Sequence, residues 1–348
     1  MTKEEITALL ATVVHPETDR DIISSGMVCD LDVTDDKVRF VLKTDRPRDP
    51  FAPAVKKAAV AAVTEVFPDA EITAVIKEPA PKAVKKDAPE VDKSGIGHVI
   101  AVSSGKGGVG KSTVTAGLAV TLARMGYRVG VLDADIYGPS MPKMFGLEEY
   151  MPTAVGEDGH EMIAPAERYG VKVMSIGFFI KAEDALAWRG PMATNALRQL
   201  MHQTLWGELD FLLIDLPPGT GDVHLTVMQE MGIDGAVIVS TPQQVAQADV
   251  LRGISMFRSQ KASVPVIGIV ENMSWFTPRE LPDNRYYIFG RDGVAPLAER
   301  EGIELLAQVP LVMGVSDGGD NGRPAALTEP VTIGIFEDLA RKLTDKIK

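Results

Sequence analysis

The sequence predicts an α/β protein: a mostly parallel sheet with helices on both faces, preceded by a small α+β domain. Three observations predict it. From Gly97 onward, apolar strands alternate with helical stretches, the pattern of a parallel sheet covered on both sides. A glycine-rich turn, Ser103–Thr113 (SSGKGGVGKST), stands between the apolar run His98–Val102 and the helical stretch Val114–Arg124. A segment rich in Pro, Lys and Asp, Pro79–Gly95, has almost nothing to bury and reads as a linker. The expected organisation is a small domain over 1–77, a flexible linker over 78–96 that lets the small domain move, and a larger α/β domain over 97–348.

In chain order, Thr2 before Glu4, Glu5, Ile6, Leu9 and Leu10 predicts a capped amphipathic helix. Ile22–Leu31 and Lys37–Leu42 read as strands. The alanine-rich stretch 51–67 reads as an amphipathic helix, and Glu71–Ile76 as a last strand. These pieces predict a three-stranded layer on two helices.

The bulk numbers narrow the function classes. The chain has 348 residues, a formal charge of -12 and 45% hydrophobic residues. That acidity argues against a broad nucleic-acid-binding surface. No stretch reaches the roughly 18 uninterrupted apolar residues of a spanning helix, and Met1–Thr7 has no basic region followed by an apolar run. A cytoplasmic location without stable membrane association is expected. Cys29 is the single cysteine, which rules out an intrachain disulfide.

The turn at 103–113 carries the chemistry. Strand, glycine turn and helix in that order are the context of a phosphate-binding loop, G-x-x-x-x-G-K-S. Gly105, Gly107, Gly108 and Gly110 let backbone N–H groups crowd a polyphosphate, together with Lys106, Val109 and Thr113 of the same loop, and the helix N-terminus adds its positive end. Lys111 is expected on the β and γ phosphates, and Ser112 on Mg²⁺.

Val129–Asp135 follows as a strand ending in Asp133 and Asp135, which at i and i+2 share a face. Asp135 is the candidate for positioning the attacking water. Asp133 is a candidate for the magnesium shell, against the alternative of a helix cap or loop contact. Ile136–Pro142 then reads as a switch-like loop. Strand-like pieces around Gly170–Phe178, a charged insertion, and a turn at Arg189 and Gly190 lead to a helix over 193–206.

Leu209–Asp222 (LDFLLIDLPPGTGD) predicts a central strand with Asp215 at its end for magnesium coordination, followed by a rigid turn near the γ phosphate. Gly235–Ser240 and Val266–Val270 are further strands. Asn272 is a candidate for reading a purine edge, since its amide donates and accepts at once; the alternative is a turn-forming residue. Trp275–Gly290 reads as an exposed loop with a short hairpin. A helix over 293–302, the strand Leu306–Pro310, a Gly/Asp loop over Ser316–Pro324 and a helix near 329–346 complete the chain.

The assembled motifs resemble one family. Gly105–Thr113, Asp133–Ser140 (DADIYGPS), Asp215–Asp222, Thr241–Gln243, Glu271–Ser274 (ENMS) and Ile288–Gly290 are similar to the Mrp/ApbC branch of the deviant P-loop, MinD/ParA-like ATPases. Residues 1–77 resemble the small iron–sulfur-assembly domain often fused to it. The resemblance implies a homodimeric, Mg²⁺-dependent ATPase that binds an iron–sulfur cluster and passes it to apoproteins, with assembly factors as further partners. It also implies that Lys106 contacts the ATP of the other subunit, and that Asp135, Asp215 and Asn272 take the water, metal and base roles.

The chain departs from that family at the thiolates. Members with the familiar metal site have C-x-x-C between E-N-M-S and I-F-G, whereas Trp275–Tyr287 contains neither cysteine nor histidine, and Thr44–Pro50 contains no cysteine. Iron and sulfide require soft ligands. Three readings follow: a cluster carrier, a cluster-free ATP-dependent adaptor or scaffold, and a partitioning-type ATPase acting on DNA or membrane, which the acidic charge disfavours.

Overall fold

The structure, a computed structural model, describes residues 1–16, 20–34, 36–44, 51–77, 95–156, 161–179, 190–259, 262–278, 280–281, 283–328 and 330–347. The expected linker, apart from Gly95 and Ile96, lies outside the described residues, as do Arg189, the charged insertion before it and 45–50. The chain divides into two compact units, Met1–Ala88 and Pro89–Lys348.

In the first unit, α1 (Lys3–Leu10) starts with a capping box: Glu5 N–H donates to Thr2 Oγ1 at 3.3 Å, and Thr2 N–H donates to Glu5 Oε2 at 2.7 Å. Strand β1 (Val28–Val33) pairs antiparallel with β2 (Lys37–Lys43). Helix α2 (Ala52–Val66) then crosses over to β3 (Glu71–Lys77), which runs parallel to β2. The helices meet the sheet through Ile6, Leu10, Phe40, Leu42, Val55 and Val63, all essentially without exposure. The expected strand from Ile22 begins six residues later, at Val28. The cause is local: the Asp21 carboxylate accepts from the backbone N–H groups of Ile23 and Ser24, and Gly26 has φ +70°, so 21–26 form turns.

The second unit contains β4 (Ile96–Ser104), α3 (Lys111–Arg124), β5 (Val129–Asp133), α4 (Met141–Phe145), the small ribbon β6 (Ala154–Val155) with β7 (Met162–Ile163), β8 (Ala166–Arg168) and β9 (Val171–Ser175). It continues with α5 (Gly190–Gln203), β10 (Leu209–Asp215), α6 (Asp222–Met231), β11 (Gly235–Ser240), α7 (Gln244–Arg258) and β12 (Val266–Phe276). Helix α8 (Ala295–Glu301), β13 (Leu305–Leu311), α9 (Met313–Asp320), α10 (Ala325–Thr328) and α11 (Pro330–Ile347) complete it. The eight-stranded sheet has the order β13-β12-β11-β4-β10-β5-β9-β8, parallel throughout except for β8 against β9.

Alternation along β4 shows how both faces are buried. Val99 and Ala101 join the core under α5 to α8, while Ile100 and Val102 join the core under α3 and α11. Helix α11 presses so closely on α3 that a Cβ at Gly117 would come within 2.5 Å of the Phe336 ring. The C-terminal helix therefore packs into the core, and no helix among the described residues is long and apolar enough to cross a membrane.

The Gly/Asp stretch expected as a loop from Ser316 instead starts inside a helix, α9. Tertiary contact explains it: a Cβ at Gly322 would meet Gly146 Cα at 2.5 Å, and Arg323 N–H closes onto Gly318 O at 2.7 Å.

The connections leave β4 toward β5 and β9, return through β10, and cross to β11, β12 and β13. The crevice at a reversal of strand order opens at the carboxyl ends of parallel strands. Ser104, Asp133, Asp215, Ser240 and Asn272 all come to that edge.

Candidate nucleotide site

The loop between β4 and α3 is shaped by its glycines. Gly108 and Gly110 have φ +79° and +78°, a region that glycine enters without steric cost. Gly105 and Gly110 also permit close approach: a Cβ at Gly105 would lie 2.3 Å from the backbone of Asp249, and one at Gly110 would lie 2.2 Å from Asn272 Nδ2. The resulting cleft, about 240 Å³, is lined by Gly107 to Thr113 and faced by Asp135, Ser140 and Pro218.

At its floor the structure brings together groups the sequence separates by a hundred residues. Lys111 Nζ is 2.7 Å from Asp215 Oδ2, and both side chains are buried. Ser112 Oγ donates to the same oxygen at 2.5 Å, while Thr115 Oγ1 donates to Asp215 Oδ1 at 2.8 Å. A buried carboxylate is tolerated when it is paired and hydrogen-bonded in this way. Ser112 and Asp215 present hard oxygens side by side, the donor type that suits Mg²⁺.

Asp133 and Asp135 do not lie on one strand face. Strand β5 ends at Asp133, and the chain turns away before Asp135. Asp133 Oδ2 accepts from Ser140 N–H, Met141 N–H and Ser175 Oγ, each at 3.0 Å, and Oδ1 accepts from Asp135 N–H at 3.2 Å. In this structure Asp133 braces the 134–141 loop and the start of α4 through three backbone donors and ties them to the end of β9 through Ser175, the loop contact weighed as the alternative to a place in the magnesium shell. Burial, and secondly the Asp215 charge, push its pKa up to about 7.

Asp135 is half-buried and faces the cleft, with Oδ1 accepting from Gly138 N–H at 3.2 Å. Desolvation raises its pKa, opposed by the Lys111 charge.

Asn272 lies beneath the phosphate loop. Its Nδ2 donates to Val109 O at 2.9 Å, and the residue is 6% exposed. That bond uses one of the two amide N–H donors, so Asn272 braces the phosphate loop and keeps a second donor and Oδ1.

The turn after β10 is anchored twice. Gly219 N–H donates to Ser104 O at 2.9 Å, and Gly221 N–H donates to His224 Nδ1 at 3.1 Å. His224 is 1% exposed, and burial holds its pKa down to about 4, with the Lys111 charge acting in the same direction. It is therefore a neutral ring holding the turn at neutral pH. Beside the turn, a second cavity of about 600 Å³ lies between 134–137, the 217–224 turn and α5; Asp135 and Pro218 line both cavities.

Lys106 is half-buried, and its Nζ donates to Gln243 Oε1 at 2.9 Å. Sequence reasoning assigned no role to Thr115, Ser175, Gln243 or Glu271. Thr115 had a signal, lying one helical turn beyond Lys111 on the same side. Glu271 accepts from Val294 N–H and Gln308 Nε2 at 2.9 and 2.8 Å, and no local pattern announces either partner.

The segment after β12 is a surface feature. Phe276 and Tyr286 exchange both backbone hydrogen bonds, at 2.8 and 2.9 Å, so a short hairpin forms. Arg285 stacks over Trp275 at 4.3 Å and Arg291 over Tyr287 at 4.9 Å. Cys29 lies alone in β1, half-buried. Among the described residues, no group of three His, Cys, Asp or Glu side chains is placed to hold a metal ion.

Comparison with known proteins bears on this geometry. The family model described as NUBPL iron-transfer P-loop NTPase matches residues 95–347, and the one described as iron-sulfur cluster assembly protein matches residues 3–75. An iron-sulfur cluster carrier protein of Synechocystis is 40% identical over 331 residues, 95% of this chain and 93% of its own length. A protein of the same description from Deinococcus radiodurans is 41% identical over 342 residues, 97% of this chain and 93% of its own. A nucleotide-binding protein of Archaeoglobus fulgidus, solved in complex with ADP, is 43% identical with a TM-score of 0.60, covering 70% of this chain and 93% of its own. The cell division ATPase MinD of Pyrococcus furiosus shares the fold, with a TM-score of 0.50 and 22% identity over 72% of this chain and 99% of its own.

Proposed function

The chain belongs to the iron-transfer P-loop NTPase family over residues 95–347, with an iron–sulfur cluster assembly domain over 3–75, and from that premise we propose that it is an ATP-hydrolysing carrier that receives iron–sulfur clusters and delivers them to apoproteins. The observation that carries this reading is the 40% identity to a cluster carrier across both parts of the chain.

In the proposed cycle, Gly105 to Thr113 cradle the phosphates of ATP. Lys111 leaves its 2.7 Å ion pair with Asp215 for the β and γ phosphates. Ser112 and Asp215 would hold Mg²⁺, which neutralises charge on the phosphates when bound. Asp135 orients water for in-line attack, supported by its position facing the loop across the cleft. Lys106 reaches the ATP of a second copy, so that the working form is a homodimer. Release of phosphate loosens 136–142 and the 217–222 turn, changing the grip on a client. Asp133 and Asn272 keep the two loops in register from behind.

The cluster is cargo in this scheme, and the chain offers it little. One thiolate per copy, Cys29, cannot complete a four-thiolate shell even in a dimer. Delivery then relies on thiolates supplied by a donor or client protein. The same observation favours a second reading, an ATP-dependent adaptor that holds no cluster itself.

Anaerobic reconstitution with iron and sulfide, followed by transfer to an apoferredoxin, separates the two. Stoichiometric iron and sulfide on the dimer, or faster transfer from a preloaded donor protein in its presence with ATP, supports the carrier. ATP turnover with neither behaviour overturns it in favour of the adaptor.

A further inference from the structure

We infer that Gln243 is a positioning residue that holds Lys106 inside its own protomer and thereby sets how readily two copies close over ATP. The inference rests on the cross-subunit reading of Lys106 given above and deepens it.

The holding begins at Gly105. No side chain fits there, because a Cβ would meet the Asp249 carbonyl carbon at 2.3 Å and its oxygen at 2.4 Å. The start of the phosphate loop is thus seated directly on α7, and Lys106, the next residue, lies beside the residue that precedes that helix. Ser104 Oγ donates to Lys106 O at 3.0 Å and fixes the backbone. The ammonium then donates to Gln243 Oε1 at 2.9 Å. An ammonium only donates, so the amide must offer its oxygen here.

The location matters as much as the bond. Gln243 follows β11, which neighbours β4 on the side opposite β10. Asp215 ends β10 and the 217–222 turn follows it, so Lys106 is held on the flank of the loop toward β11, the other side of β4 from β10. A half-buried hydrogen bond to a charged group is stronger than one in open water. Lys106 must release it before it can serve a second copy, and a closed dimer requires two releases. Equilibria between held and closed states respond only to such differential contacts. A neutral amide also makes a weaker hold than a carboxylate would, so the restraint can be overcome.

Sedimentation of the full chain with Mg²⁺ and a non-hydrolysable ATP analogue gives the dimer dissociation constant, and turnover against protein concentration gives its functional counterpart. Gln243→Ala should tighten the dimer by about 5- to 30-fold for two released lysines. Gln243→Glu should weaken it by a similar factor. In a Lys106→Ala background, Gln243→Ala should change nothing. Absence of a shift, shifts of the same sign in both variants, or a gain in the Lys106→Ala background would overturn the holding role. If Lys106→Ala alone leaves dimer formation and turnover intact, the cross-subunit reading itself is wrong; a Lys106→Ala defect with unmoved Gln243 variants removes only the holding role.

Discussion

The carboxyl edge of β4 and β10 and the hairpin after β12 belong to the same sheet, yet their polar groups are committed to very different degrees. At the first, Asp215 is fully buried with Lys111, Ser112 and Thr115 on its oxygens, and Asp133 collects four donors. At the second, arginines lie on aromatic faces at the surface, and Tyr286 and Ile288 remain 46% and 60% exposed. The contrast teaches that the polar groups at the nucleotide edge are paired and buried among themselves, whereas the segment between Glu271–Ser274 and Ile288–Gly290 presents its aromatic and cationic groups at the surface.

The sharpest way to break this comparison is at Lys111. Lys111→Ala removes the cation expected on the γ phosphate, and phosphate release should fall by about a hundredfold or more. Near-normal turnover would mean that the committed edge is not the working edge.

A smaller effect is expected at His224. Its folded pKa of about 4 lies below the 6.5 of an unfolded histidine, so the unfolded chain binds the proton more readily. The contribution is present in full above about pH 6.5 and is lost as pH falls through the window to about 4, up to roughly 3 kcal/mol. His224→Gln can keep an acceptor for Gly221 N–H and should flatten this part of the pH dependence in urea unfolding. An unchanged slope would show that the ring is not held neutral by burial.

The smallest effect belongs to the hairpin. Arg285→Ala should cost at most about 1 kcal/mol of stability, the scale of an exposed cation–π contact, and leave phosphate release unaltered. A tenfold drop in turnover would show that this surface is coupled to the nucleotide edge.

Much of this was legible before any coordinates. The glycine turn at 105–112, Asp215 at the end of an apolar strand and the parallel architecture follow from spacing and composition. Those signals are local: glycine is needed where φ is positive, and a buried parallel strand needs a continuous apolar run. The start of β1 is not legible in the same way, because an aspartate-led turn at 21–26 outweighs the apolar residues of that stretch.

What the sequence by itself determined, then, is which segments become strands, helices and a phosphate loop, together with the absence of a cysteine pair. Only the tertiary structure decided which side chains those segments share. Asp215 meets Thr115, Asp133 meets Ser175, Asn272 meets Val109, and Lys106 meets Gln243 across 100, 42, 163 and 137 residues. No periodicity reports such pairs. They exist because the strand order brings the carboxyl ends of β4, β5, β10, β11 and β12 to one edge, where buried charges and amides must find partners that water no longer supplies.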